Sequence, residues 1–236
     1  MPDPVLLISC EHAANHVPPR FRGLFEGHEA VLQSHRGYDA GAVELAEYLA
    51  GELHAPCFRA QITRLLVDHN RSPHNRALWS EFSSRLDAAD KEWLLESYYR
   101  PFRGRVSAWI AARITAGQSV LHLGVHSFTP VLDGKPRTTD IGILYDPQRA
   151  EEKAFARLLQ RAFQSARPDL RVRMNDPYRG VSDGHQSDYR RHYTGGHYMA
   201  IELEINQSLV IGAPEGWQVL QRDLGASLRE ALTGGA

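Results

Sequence analysis

Short apolar runs that stop abruptly at chemistry-bearing residues recur along this chain, and they restrict its fold more than any other feature. Val5 to Ser9 runs into Cys10-Glu11-His12, and Val120 to Val125 runs into His126-Ser127. Leu65 to Val67 leads into Asp68-His69-Asn70-Arg71, and a late apolar run carries Glu202 and Glu204. A short apolar run closed by turn-prone polar residues predicts a buried strand that ends there. In open α/β sheets the carboxyl ends of strands are where ligands bind. The pattern therefore predicts one sheet whose edge collects His, Glu, Asp, Asn and Arg.

Strands are predicted at Val5–Ser9, Pro56–Ala60, Val120–His126, Ile141–Tyr145, Leu170–Met174 and Tyr198–Ile205. Helices are predicted at Ala40–Leu53, Leu86–Ile114, Ala150–Ala166 and Gly216–Leu232. Ala42, Leu45, Ala46, Leu49 and Leu53 fall at helical spacing, as do Phe155, Leu158, Leu159 and Phe163. Pro101 must kink or split the long helix that contains it. Strands alternating with helices predict an α/β layered domain with a largely parallel sheet, and 236 residues suit a single domain over 1–236. The stretches Ser127–Asp140 and Asp176–Gly196 read as long irregular loops, which in a compact domain are often functional.

A net charge of −1 gives no global pull towards nucleic acid or anionic membrane. No apolar stretch approaches the roughly 18 residues of a spanning helix. With two cysteines, Cys10 and Cys57, and no signal-peptide pattern at the N-terminus, a reducing, cytoplasmic setting is expected. Oligomeric state is not legible. Twelve histidines are many for this length. His28, His54 and His74 lie in polar surroundings and read as surface residues.

Each remaining cluster has a plain reading and a chemical one. His12 and His126 are strand-end imidazoles, suited to a metal or to hydrogen bonds with loop carbonyls. Asp39 precedes a helix, so it is either an N-cap or a carboxylate ligand. Asn70-Arg71 suits recognition of a carboxylate, because Arg offers a planar fork and Asn a neutral donor, or it is a surface turn. Glu202 and Glu204 share one face of a strand. Buried carboxylates there need a metal, an Arg or a catalytic task. Cys10 with His12 makes a poor nucleophile pair, since no third group orients them. No phosphate-binding Gly-rich loop and no HExxH motif is present.

Together the segments CEHAANHVP (10–18), HRGYDAGA (35–42), RLLVDHNRSP (64–73), GVHSFTPVLDGKPR (124–137), DIGILYD (140–146), NDPYRGVSDG (175–184) and IELEINQSLV (201–210) resemble the N-formylglutamate amidohydrolase family. That family looks like a distant relative of zinc carboxypeptidases and aspartoacylases. The resemblance implies a three-layer α/β/α fold with a mixed, mostly parallel sheet, and one Zn2+ ion. It implies His12 and His126 as ligands. The relatives draw a carboxylate from an HxxE motif, but residue 15 is Asn, so Asp39, or Glu11 as the alternative, fills that place. Glu204 would be the base. Asn70 and Arg71 would bind the substrate carboxylate, with Ser127 also at the substrate. Arg64 or Arg137 would stabilise developing charge, and Arg137 or Arg179 would read a side-chain carboxylate. The expected substrate is a small N-acyl amino acid, foremost N-formyl-L-glutamate. Another N-acyl amino acid or short peptide, or metal and carboxylate binding without turnover, are the alternatives.

Overall fold

The computed structural model describes residues 4–212 and 214–234. Chain order is β1 (Val5–Cys10), α1 (Glu29–Leu32), α2 (Ala42–Glu52), β2 (Cys57–Arg59), α3 (Ala88–Leu94) and α4 (Arg100–Thr115). There follow β3 (Val120–Phe128), β4 (Val131–Leu132), β5 (Lys135–Pro136), β6 (Ile141–Leu144) and α5 (Ala150–Ala166). The chain finishes with β7 (Val172–Met174), α6 (His185–His192), β8 (Tyr198–Asn206) and α7 (Pro214–Leu232).

Six strands form one sheet in the order β2-β1-β3-β8-β6-β7. All neighbours run parallel except β6 and β8, which are antiparallel, so the sheet is mixed and mostly parallel as expected. The pleat sorts side chains between two layers. Leu6, Ile8 and Cys10 of β1, Leu121, Leu123 and Val125 of β3, and Ile201, Leu203 and Ile205 of β8 enter a core with α2, α5 and α7. Leu7, Val120, Tyr198 and Ala200 pack the other face against α4 and α6. Cys10 is fully buried in the first layer, and burial pushes its thiol up, away from reactivity. Packing is its role.

A satellite core holds what the sheet does not. Val17, Phe21, Phe25, Ile62, Leu66, Val67 and Leu94 cluster beneath the connection that leads from β2 to Asp68–Arg71. That connection needs no strand to be rigid, because its apolar residues are anchored.

Two expectations need correction. Residues 176–196 are not wholly irregular, since α6 lies within them. Its sequence HQSDYRRH has no apolar stripe, and its buried face is His185, Gln186 and Tyr189, so periodicity could not reveal it. Residues 127–140 hold the end of β3 and the β4–β5 hairpin, turned by Asp133 and Gly134, both at positive φ. The helix around Pro101 is divided just before the proline, as expected. One π-helical turn, Leu95–Tyr99, joins α3 to α4, with Arg100 N–H bonded to Leu95 C=O, and Pro101 falls in the first turn of α4.

Candidate active site

The sheet's second face, between α4 and α6, carries the chemistry. In register, Gly124 faces Glu202 and His126 faces Glu204 across β3 and β8. Gly142 of β6 stands opposite Glu204. A Cβ there would collide with the Asp176 carbonyl at 2.3 Å and crowd the Glu204 Cβ at 3.2 Å, so glycine lets the Asp176 backbone close over this strand beside Glu204. β1 stops at Cys10, and the turn at Glu11-His12 brings both side chains onto this face.

His12, Asp39 and His126 form a buried trio whose ligand atoms lie within 4.8 Å of one another. Asp39 Oδ2 is 3.3 Å from His12 Nδ1 and 3.0 Å from His126 Nδ1, and it accepts the Ser127 N–H at 3.3 Å. Asp39 is not an N-cap. The cap of α2 is Gly41, at φ 78, where a Cβ would collide with Val210 at 2.5 Å. Asp39 is thereby free to face the two imidazoles.

Each imidazole is braced from behind. His12 Nε2 lies 2.7 Å from Asp68 Oδ1, and Arg64 holds Asp68 Oδ2 at 3.0 Å. His126 Nε2 faces Glu11 Oε2 at 3.2 Å, and Glu11 Oε1 meets His185 Nδ1 at 2.8 Å. His185 Nε2 reaches the Tyr189 hydroxyl at 2.9 Å. Glu11 thus stands behind His126, and the carboxylate that orients His12 is Asp68. A carboxylate behind a ligand imidazole fixes its orientation and raises its basicity. Burial alone would raise Glu11, but hydrogen bonds from His126 and His185 hold it well below the carboxylate range. Asp39 and Asp68 are likewise held low against their burial, by the facing imidazoles and, for Asp68, by Arg64 first. The carboxylate and imidazoles of the trio fit a metal ion in donor type and spacing.

Glu11, His122 and His185 form a second such trio. Its nitrogens are already spent. His122 bonds Ser9 Oγ at 2.7 Å and the Tyr198 hydroxyl at 2.8 Å, and burial lowers it to about 3, leaving it neutral. This trio is a hydrogen-bonded brace.

A cavity of about 190 Å³ opens on the first trio, lined also by Arg64, Asn70, Arg71, Arg179, Glu202 and Glu204. Glu204 Oε2 is buried without a hydrogen-bond partner. Burial pushes Glu204 up to about 8, Asp39 and Glu202 add to the rise, and His126 opposes it. Asn70 Oδ1 accepts the His185 N–H at 2.7 Å, which leaves the amide nitrogen for a ligand. Arg71 Nη1 is committed to the carbonyls of Asn70 and Asp183, leaving Nη2 and Nε. Ser127 lines the cavity, but its hydroxyl donates to Ala40 C=O at 2.7 Å and accepts from Gln207 at 3.0 Å. Arg137 stands apart. It bonds the Tyr178 hydroxyl at 2.8 Å and lies over the Tyr178 ring, outside the lining.

The sequence profile of the N-formylglutamate amidohydrolase family matches residues 5–211. The chain belongs to this family. As a member it is a hydrolase acting on amides. A solved structure of an Agrobacterium tumefaciens gene product is 29% identical, covers 98% of this chain and 91% of its own, and superposes with a TM-score of 0.82. The N-formylglutamate amidohydrolase of Ralstonia eutropha JMP134 shares the fold at 19% identity, with 99% and 95% covered and a TM-score of 0.73. No curated protein matches by sequence.

Within this amidohydrolase, Asp68 and His185 are the site residues that sequence reasoning passed over. Asp68 lies next to the Asn-Arg pair in RLLVDHNRSP, and nothing in that spacing marks it as the partner of His12, 56 residues away. His185 lay in a stretch read as loop. His185→Leu is expected to weaken metal binding by about 10–100-fold, measured by competition with a chromophoric chelator. His185→Asn keeps a donor near the Nδ1 position and is expected to recover most of the loss.

Proposed function

We propose that this chain is a metal-dependent amidohydrolase of small N-acyl amino acids, with N-formyl-L-glutamate, cleaved to formate and L-glutamate, as the reference substrate. One observation carries the reading: the His12–Asp39–His126 trio shares a cavity with Glu204, whose Oε2 is buried and partnerless, and with the Asn70-Arg71 pair. Those three residues would hold the ion, and two imidazoles with a carboxylate suit zinc. Zinc held there supplies a Lewis acid for the amide carbonyl and lowers the pKa of water.

The chain's own groups do the rest. Asn70 and Arg71 grip the α-carboxylate and so orient the amide. Arg64, beside Asp39 at 3.5 Å, faces the charge that develops on the carbonyl oxygen. Glu204 takes the proton of the attacking water and returns it to the leaving amine. A cation at the trio favours the ionised form that this role needs. Arg179, exposed at the cavity rim, is placed to meet a side-chain carboxylate. A cytoplasmic setting belongs to the same proposal. Both cysteines are free, and no helix among the described residues is long and apolar enough to cross a membrane.

Release of formate from N-formyl-L-glutamate, with and without chelator, tests the reading directly. Failure on every N-acyl amino acid tried would sink it. Arg71→Lys keeps the charge but loses the fork. It is expected to raise KM by roughly tenfold or more, with a smaller effect on kcat. An unchanged KM would remove Arg71 from the grip.

A further inference from the structure

A second cavity, of about 330 Å³, adjoins the first. Asp39, Arg64, Arg71, Ser127 and Tyr178 line both, so the two meet beside the trio. Asn70 and Glu204 line only the first. Leu65 and Phe128 contribute apolar wall to the second, and the hydroxyls of Ser80 and Thr129, which donate to the Leu65 and Val131 carbonyls, present oxygens that can accept from an amide N–H. The Arg36–Glu81 ion pair closes its outer rim.

The geometry points to a polar, uncharged acyl group of about amino-acid size as the acyl half of the substrate, seated in this second chamber. The inference rests on the amidohydrolase reading above. With the carboxylate of the amine half held at Asn70 and Arg71, the scissile amide lies at the junction of the cavities. The two substituents of a trans amide point in opposite directions. The acyl substituent therefore leads away from the first cavity and into the second. On a formyl group that substituent is a hydrogen, which leaves the chamber to water. Of the charges along the chamber, Arg36 pairs with Glu81 and Arg64 with Asp68, while Asp39 belongs to the trio and Arg71 is taken by the carboxylate of the amine half, so no charge of either sign is left over to call for an ionised acyl chain. Its mix of apolar wall and hydroxyls suits a peptide-like group. The bond chemistry is unchanged: water oxygen joins the acyl carbon, the C–N bond breaks, and the amine nitrogen gains the proton.

A series with L-glutamate as the constant amine half tests this. The probes are N-formyl-, N-acetyl- and N-acetylglycyl-L-glutamate, with glycyl-L-glutamate to introduce a charge. With the zinc-loaded enzyme, kcat/KM is expected to rise along the first three, by about tenfold or more overall, and to fall for the charged probe. Ala77 is exposed on the chamber wall and takes no part in the proposed chemistry. Ala77→Trp is expected to cut kcat/KM for N-acetylglycyl-L-glutamate by about tenfold or more and to leave the formyl substrate within about twofold. The wild-type series stands by itself if that variant folds poorly. A clear preference for formyl overturns the inference and leaves the amidohydrolase reading standing. Hydrolysis of none of the four takes both down.

Discussion

Glu204→Gln is expected to lower kcat by a factor of about 10²–10⁴ while metal content and KM stay close to wild type. The substitution keeps the shape and removes the carboxylate proposed to accept the proton. Two features make the effect large. Glu204 is only 6% exposed, and glycine at residue 142 leaves it no neighbouring side chain on that strand to share its task. Its Oε2 has no partner among the described residues, so nothing structural is lost with the charge. The variant should therefore fold and melt like the parent. Full retention of formate release with metal bound would show that another group moves the proton, and Glu202, two residues away on the same face of β8, would be the next to test.

His126→Ala is expected to abolish both metal binding and turnover, and to destabilise the fold as well. His126 stands between Asp39 at 3.0 Å and Glu11 at 3.2 Å, and those two contacts raise its pKa well above the ordinary value despite burial. Alanine leaves two buried carboxylates without their shared imidazole. Removing one partner of a buried ion pair typically costs about 3–5 kcal/mol. Metal analysis and thermal melting of the same preparation check the two halves separately. A variant that melts like the parent but lacks metal would mean the carboxylates find other partners. A variant that keeps its metal would remove His126 from the ligand set.

The strands were readable because the pleat writes itself into the chain. Ile201, Leu203 and Ile205 alternate with Glu202 and Glu204, and a sheet covered on both sides leaves one meaning for that alternation: apolar residues to one helical layer, carboxylates to the other. His12 and His126 were readable as strand-end residues for the same reason. Other features were hidden from a linear reading. α6 buries His185, Gln186 and Tyr189, residue types that periodicity does not count as core. The brace from Glu11 to His185 spans 174 residues, and no spacing rule connects such positions. Capping and membership of the site are equally compatible with the position of Asp39 in the sequence, and only the fold shows that Gly41 takes the cap. The choice between Glu11 and Asp39 beside the imidazoles depended on where β1 stops, and strand ends are the least certain part of any such reading.

The antiparallel pairing of β6 with β8 has a consequence for how this architecture diversifies. β3 ends, and β6 begins, at the same edge of the sheet, so the segment between Phe128 and Ile141 leaves and re-enters beside the site without crossing the molecule. Its length can change without re-threading any strand. The segment leaves from Phe128 and Thr129, which line the second cavity, so an insertion or deletion there reaches the cavity wall without disturbing the sheet. A laboratory library built to retune the enzyme should begin with this connection.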